Sequence, residues 1–208
     1  LRDALRDGQD QARVAVAAVV RDDVYAIGAL AGLRGEITVV DGEVWVTEGH
    51  VEHPVTTHGR TTDAAATVLF AAKVREWRRI PVEMPVDPSE LDAFVGREAR
   101  SAGLDVSRPF PFLVEGGLTH LSLHVVAGEC PVRARMLGKA MTSPAYQMHV
   151  DHTDGRLVGF YAANSSGVIC HMGASTHVHA VLDREGGMTG HVETVGLAAG
   201  AVLMLPAE

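Results

Sequence analysis

Thr176-His177-Val178-His179-Ala180-Val181-Leu182, then Asp183-Arg184-Glu185-Gly186-Gly187, then Met188-Thr189-Gly190-His191-Val192 is the stretch on which the architecture of this chain turns. The first run is apolar or β-branched outside its histidines and reads as a strand. Side chains on a strand alternate faces, so His177 and His179 share one. Residues 183–187, with their Gly-Gly pair, read as the turn of a β-hairpin. Pairing then runs Leu182 with Met188, Val181 with Thr189, Ala180 with Gly190, and His179 directly across from His191. Three imidazoles meet on one face. A loop one residue longer or shorter would send His191 to the other face, which makes the expectation a sharp one.

Such a set has an evident chemical use. Zn²⁺ takes neutral imidazole nitrogens at about 2.0–2.1 Å, and three protein ligands with an open fourth position is the catalytic arrangement, whereas structural sites are closed by four ligands, usually with cysteines. The chain has two cysteines, Cys130 and Cys170, and no C-x-x-C, which disfavours a structural zinc knuckle. With 11 histidines present, an H-x-H pair arises by chance about as often as not, so the pair alone carries little. The third histidine, on a hairpin that the Gly-Gly turn predicts independently, carries the inference. Imidazoles also bind Ni²⁺, Co²⁺, Cu²⁺ and Fe²⁺, so the residues alone leave the metal open.

At 208 residues and 47% hydrophobic content the chain can bury a full core, and its length favours one domain over residues 1–208. A net charge of −8 argues against a nucleic-acid or anionic-membrane surface, both of which need clustered Lys and Arg. The short basic cluster Arg75, Arg78 and Arg79 reads as a solvated face. The longest apolar stretches, residues 14–20 and 195–207, fall short of a membrane span. The cysteines lie outside any redox or metal motif, are compatible with one disulfide or two thiols, and weigh toward a reducing cytoplasm.

Along the chain, residues 12–20 read as helix over buried strand. Glu36-Ile37-Thr38-Val39-Val40, Asp41-Gly42 and Glu43-Val44-Trp45-Val46 form a hairpin about a strong turn signal. Residues 66–74 and 80–86 read as strands, the second confined to an edge by Pro81 and Pro85. Asp87-Pro88-Ser89-Glu90 marks a helix start with Asp87 as cap, after which Leu91, Phe94, Val95, Ala99 and Ala102 make one apolar stripe that Gly103 ends. Residues 112–115 and 118–126 read as strands about a Gly116-Gly117 turn, followed by strands at 155–163, 190–195 and 201–205. The class is α+β, dominated by antiparallel sheet with few helices.

These residues resemble the acetolactate decarboxylase family over most of the chain. Tyr25-Ala26-Ile27-Gly28-Ala29-Leu30-Ala31-Gly32-Leu33-Arg34-Gly35-Glu36, followed by Val40-Asp41-Gly42, looks like the family's glycine and aromatic stretch with L-D-G-E residues leading to a strand and a D-G turn. Glu36 falls on its functional glutamate. Gly155-Arg156-Leu157-Val158-Gly159-Phe160 is similar to the family's G-T-L-V-G-F strand, and the run 112–116 to its Y-A-I-R-I-D-G. His177-Val178-His179 and Gly190-His191-Val192 match its H-L-H and G-G-H-V zinc-ligand segments.

The resemblance implies a family-like fold and a homodimer. It further implies a zinc enzyme that removes CO₂ from a 2-hydroxy-3-oxo acid such as 2-acetolactate and yields acetoin. His177, His179 and His191 would hold the Zn²⁺ as a Lewis acid, and Glu36 would be the proton donor, its pKa raised by burial. Read without the resemblance, Glu36 is an ordinary exposed glutamate near a turn.

Three departures from the family pattern bear on the reaction. Where the family has an arginine suited to a substrate carboxylate, this chain has His124, which reads as a single hydrogen-bond donor, a proton-transfer group or a core histidine; Arg133 or Arg135 is the candidate replacement for the charge. The family's second active-site glutamate lies in a tail beyond its L-R-L-P segment, and here Leu203-Met204-Leu205-Pro206 is followed by Ala207 and Glu208, so Glu208 takes that role or the tail is missing. Residues 167–176, with Cys170 and His171, are longer than the family's approach to the first histidine and are expected to border the pocket. Two other readings stay open. One is a divergent member with a different oxo-acid, aldol or isomerase reaction, and the other a non-catalytic, cupin-like metal-dependent binding module.

Overall fold

Alternation of apolar side chains sorts the chain into two antiparallel sheets laid face to face. The computed structural model describes residues 9–50, 53–129, 138, 140, 145–163, 173–183 and 187–207. The first sheet holds β1 (Val14–Ala15), β2 (Val24–Leu30), β3 (Gly35–Val40), β4 (Glu43–Glu48), β5 (Val55–Gly59) and β6 (Ala65–Lys73), in the order β1-β6-β2-β3-β4-β5. A one-turn helix α1 (Val16–Val19) follows β1. The second sheet holds β7 (Trp77–Pro81), β8 (Phe110–Val125), β9 (Tyr146–Tyr161), β10 (Thr176–Leu182), β11 (Met188–Leu197) and β12 (Val202–Pro206), in the order β11-β10-β9-β8-β12-β7. β11 also pairs back onto β8, so β8, β9, β10 and β11 form a closed circuit. Helix α2 (Leu91–Ser101) connects β7 to β8 in sequence.

Three apolar layers follow from this arrangement. On β3, Ile37 and Val39 face away from the second sheet and are covered by Val16 of α1. On β2, Tyr25 and Ile27 face inward and pack with Leu113, Val158, Phe160 and Met204 of the second sheet. The far side of the second sheet packs Phe112, Leu123, Leu157 and Val178 against Phe94 and Val95 of α2. The inter-sheet layer is apolar at one end. At the other it receives Glu36, Thr38 and Thr47 from the first sheet and His177, His179 and His191 from the second, all buried.

The β3–β4 hairpin forms as expected, with Asp41 (φ 49°) and Gly42 (φ 74°) both left-handed, as a type I′ turn requires. Elsewhere the chain departs from local propensity. Residues 12–20 are mostly not helix: β-branched Val14 pairs with Ala66, and only Val16–Val19 coils. The edge strand β7 lies earlier than expected, at Trp77–Pro81, and Val86 keeps only a single bridge, to Leu197. Asp87 makes no side-chain cap; Pro88–Glu90 is a 3-10 turn, and regular helix begins at Leu91. Gly116-Gly117 is not a turn. β8 continues through it, with Gly116 at φ 118° and a hypothetical Cβ on Gly117 only 2.9 Å from Ala198, so the pair makes room for the β11–β12 connection to lie close against the strand. Among the described residues no helix is long and apolar enough to cross a membrane.

One close approach holds the two long strands together. Phe112 is fully buried over its cross-strand partner Gly159, where a Cβ would sit 2.3 Å from the ring. Overpacking of this kind costs about 1–3 kcal/mol. Gly159→Ala should therefore lower the thermal midpoint, and Phe112→Leu in the same chain should recover part of the loss. Melting curves of the single and double variants check this, and strictly additive losses would remove the contact as the cause.

Candidate metal centre

Register places the histidines. His179 pairs with His191 across β10 and β11, with Ala180–Gly190, Val181–Thr189 and Leu182–Met188 in step. On the other side of β10, His177 pairs with Phe160 and His179 with Val158, residues of the inter-sheet layer. The imidazoles therefore point between the sheets, while Val178, Ala180 and Leu182 point to α2. Asp92 of α2 fixes the start of β10 by accepting the Ser175 N–H at 2.6 Å and the Thr176 hydroxyl.

One ligand nitrogen from each of His177, His179 and His191 lies within 4.8 Å of the others. His177 Nε2 and His191 Nδ1 are 3.2 Å apart. Two nitrogens on one tetrahedral zinc would stand about 3.3 Å apart, so this spacing suits a shared cation. The three residues are 7%, 1% and 6% exposed, respectively, so water does not compete for them freely. Burial first, then the His177 and His124 rings, hold His179 well below the ordinary imidazole pKa, with a small opposing effect from the Ile37 backbone. Neutral imidazole is the form a metal needs. The donor set fits a divalent transition ion.

Glu36 completes the cluster from β3. Its Oε2 is 3.6 Å from His179 Nε2, and its Oε1 accepts the Val126 N–H at 3.3 Å. Far from being exposed, as its sequence context alone suggests, it is 3% accessible. Burial pushes its carboxyl up to about 8, with the Val126 N–H pulling slightly the other way. His124 pairs with His191 across β8 and β11, and the two ring centres are 4.8 Å apart. Its Nδ1 lies 3.0 Å from Glu193 Oε1. Glu208, Arg133, Arg135, Cys130, Cys170 and His171 lie outside the described residues.

Three contacts of the cluster escape sequence reading. Thr38 Oγ1 is 3.1 Å from His179 Nδ1, Thr189 Oγ1 is 2.5 Å from Thr38 Oγ1, and Phe70 packs edge-on to His177 with ring centres 5.4 Å apart. Thr38 shares a strand face with Glu36, and Thr189 sits two residues before His191. Those positions are the signal that could have found the two threonines; the sequence carries none for Phe70.

Fold and cluster together define a two-sheet protein with a buried three-imidazole centre. The alpha-acetolactate decarboxylase family model matches residues 1–207, and the chain belongs to that family. Acetolactate decarboxylase from Bacillus subtilis subspecies spizizenii is 15% identical, with 98% of this chain and 82% of that one covered at a TM-score of 0.69. Alpha-acetolactate decarboxylase from Bacillus subtilis strain 168 is 18% identical over 98% and 81% at 0.66. A Staphylococcus aureus protein of unknown function, described as similar to alpha-acetolactate decarboxylase, is 16% identical over 95% and 79% at 0.69. At these identities the structures attest the fold. No curated protein sequence matches the chain.

The two shifted groups give the metal-free protein a pH signature. A carboxyl whose folded pKa is raised binds more protons folded than unfolded, so Glu36's contribution is intact below 4.5 and is lost as pH climbs through about 8. His179 acts in the opposite sense, its contribution lost as pH falls below 6.5. Between 6.5 and 8 the Glu36 effect stands alone of the two. Glu36→Gln should flatten the fall in stability of metal-free protein across that window, measured by denaturant titration at several pH values. An unaltered slope would mean that Glu36 ionises in the fold as it does in water.

Proposed function

We propose that this chain is a metal-dependent carboxy-lyase acting on a 2-hydroxy-3-oxo acid such as 2-acetolactate, with acetoin and CO₂ as products. The observation that carries the reading is the buried Glu36 carboxyl, 3.6 Å from a nitrogen of the three-imidazole cluster, in a chain of this family. His177, His179 and His191 would hold Zn²⁺. Bound there, zinc supplies Lewis-acid stabilisation of negative charge on the substrate's hydroxyl and carbonyl oxygens.

The chain's own residues supply the rest. Loss of CO₂ breaks a C–C bond and leaves its electron pair on the remaining hydroxyketone skeleton, which must take up one proton at carbon. Burial raises the Glu36 carboxyl to about 8, which favours its acid form, and because its Oε1 accepts the Val126 N–H, the oxygen left to carry the proton is Oε2, the one nearer His179. Glu36 delivers that proton and regains one from solvent. The layer between the sheets keeps water from quenching the skeleton indiscriminately. His124, whose Nδ1 lies against Glu193, would give a substrate carboxylate one hydrogen bond at most where an arginine would offer a fork.

That single donor supports a second reading, a family member whose substrate is a different hydroxy-oxo compound. Zinc-loaded protein should release acetoin and CO₂ from racemic 2-acetolactate. His179→Ala should lower zinc occupancy and cut turnover at least about 100-fold. Glu36→Gln should keep its zinc and lose about 10²–10⁴ in kcat. Isomerisation or aldol cleavage of related hydroxyketones without acetoin would select the second reading, and zinc binding with no turnover of either substrate class would leave a binding module.

A further inference from the structure

We propose that Thr38 and Thr189 are positioning residues that lock the ring of His179 with its proton on Nδ1, so that Nε2 presents a lone pair to the metal. The inference rests on the metal-centre reading above and deepens it.

The direction of the chain of hydrogen bonds follows from where it ends. Thr189 Oγ1 lies 2.9 Å from the Ala180 carbonyl, which can only accept, so the one hydroxyl proton of Thr189 is committed there. Thr189 Oγ1 is also 2.5 Å from Thr38 Oγ1, and with its proton used it must accept, so Thr38 is the donor. Thr38 has then spent its own proton, and at 3.1 Å from His179 Nδ1 it in turn must accept. The ring nitrogen facing it therefore carries hydrogen. In a neutral imidazole the other nitrogen is then a bare acceptor, and that nitrogen is the one facing Glu36 Oε2.

The relay is built into the fold. Thr38, Thr189 and His179 are essentially inaccessible, so no bulk water can reverse a link. Thr189 is itself pinned, its N–H donating to Thr47 Oγ1 of β4 at 2.9 Å. The chain crosses from β10 to β3 and back to β11, so it also fixes the separation of the two sheets where the cluster lies. A hydrogen-bonded partner on the far nitrogen of a metal-binding imidazole is typically worth 10–100-fold in affinity.

The test begins with the parent protein without metal. Long-range ¹H–¹⁵N spectra should give His179 a pyrrole-type Nδ1 and a pyridine-type Nε2; the reverse assignment overturns the proposal. Zinc affinity by chelator competition should then fall 10–100-fold in Thr38→Val and in Thr189→Val, and Thr38→Ser, which keeps the hydroxyl, should stay within about threefold of the parent. Affinities unchanged in both valine variants overturn it. If Thr38→Val does not fold, Thr189→Val, which leaves the hydroxyl at His179 Nδ1 in place, and the parent's tautomer decide the matter. A parent that takes up no zinc would sink the metal-centre reading while leaving the tautomer measurement to judge the relay separately.

Discussion

Removing polar groups from water commits a protein to satisfying them, and the space between the two sheets of this chain is organised around that commitment. Three imidazoles, a carboxyl and three threonine hydroxyls occupy one end of a layer whose other end is hydrocarbon. An unsatisfied group there would cost about 1–3 kcal/mol. The threonines answer one another and the backbone, and Glu36 answers by keeping its proton. The imidazoles answer with a spacing that suits a shared cation. The same dry surroundings that make these groups expensive push the His179 imidazole toward its neutral form and raise the Glu36 carboxyl, the two directions the proposed reaction needs.

Much of this was legible because strands have a period of two. The pairing of His179 with His191 follows from counting back from the Gly186-Gly187 signal, and the observed register agrees at every described pair. The Asp41-Gly42 hairpin was equally plain, since its two left-handed residues leave few other structures. What local sequence could not give was distance. Gly116-Gly117 carries a turn signal, yet its glycines serve an approach by Ala198 and Ala201, far along the chain. Val14 has neighbours suited to a helix but takes a strand because β6 is there to pair with it. Glu36 looked like a surface position of a hairpin until the second sheet covered it. The resemblance singled out Glu36 and was silent on Thr38.

His124 marks the main chemical divergence from the family pattern. Its placement opposite His191 puts it beside the cluster, and Glu193 orients it from a partly exposed position. An arginine carries its charge at any pH, whereas a histidine beside a glutamate forms a pair with little net charge when protonated. Under the proposed reaction, a site so equipped would gain less from a substrate carboxylate and rely more on the substrate oxygens gathered at the metal. Selectivity among hydroxy-oxo acids would then rest on the oxygen arrangement of the substrate more than on its charge.

The circuit formed by β8, β9, β10 and β11 bears on how an ion is gained and lost. β10 is gripped by β9 and β11, and β11 by β10 and β8, so neither ligand-bearing strand has a free edge along which to slide. The ordering of the three rings is accomplished when the chain folds, not when a cation arrives. Under the metal-centre reading proposed above, the seat is thus a preformed socket, and a bound ion would be a replaceable part, free to leave without disassembling the framework that shapes its seat.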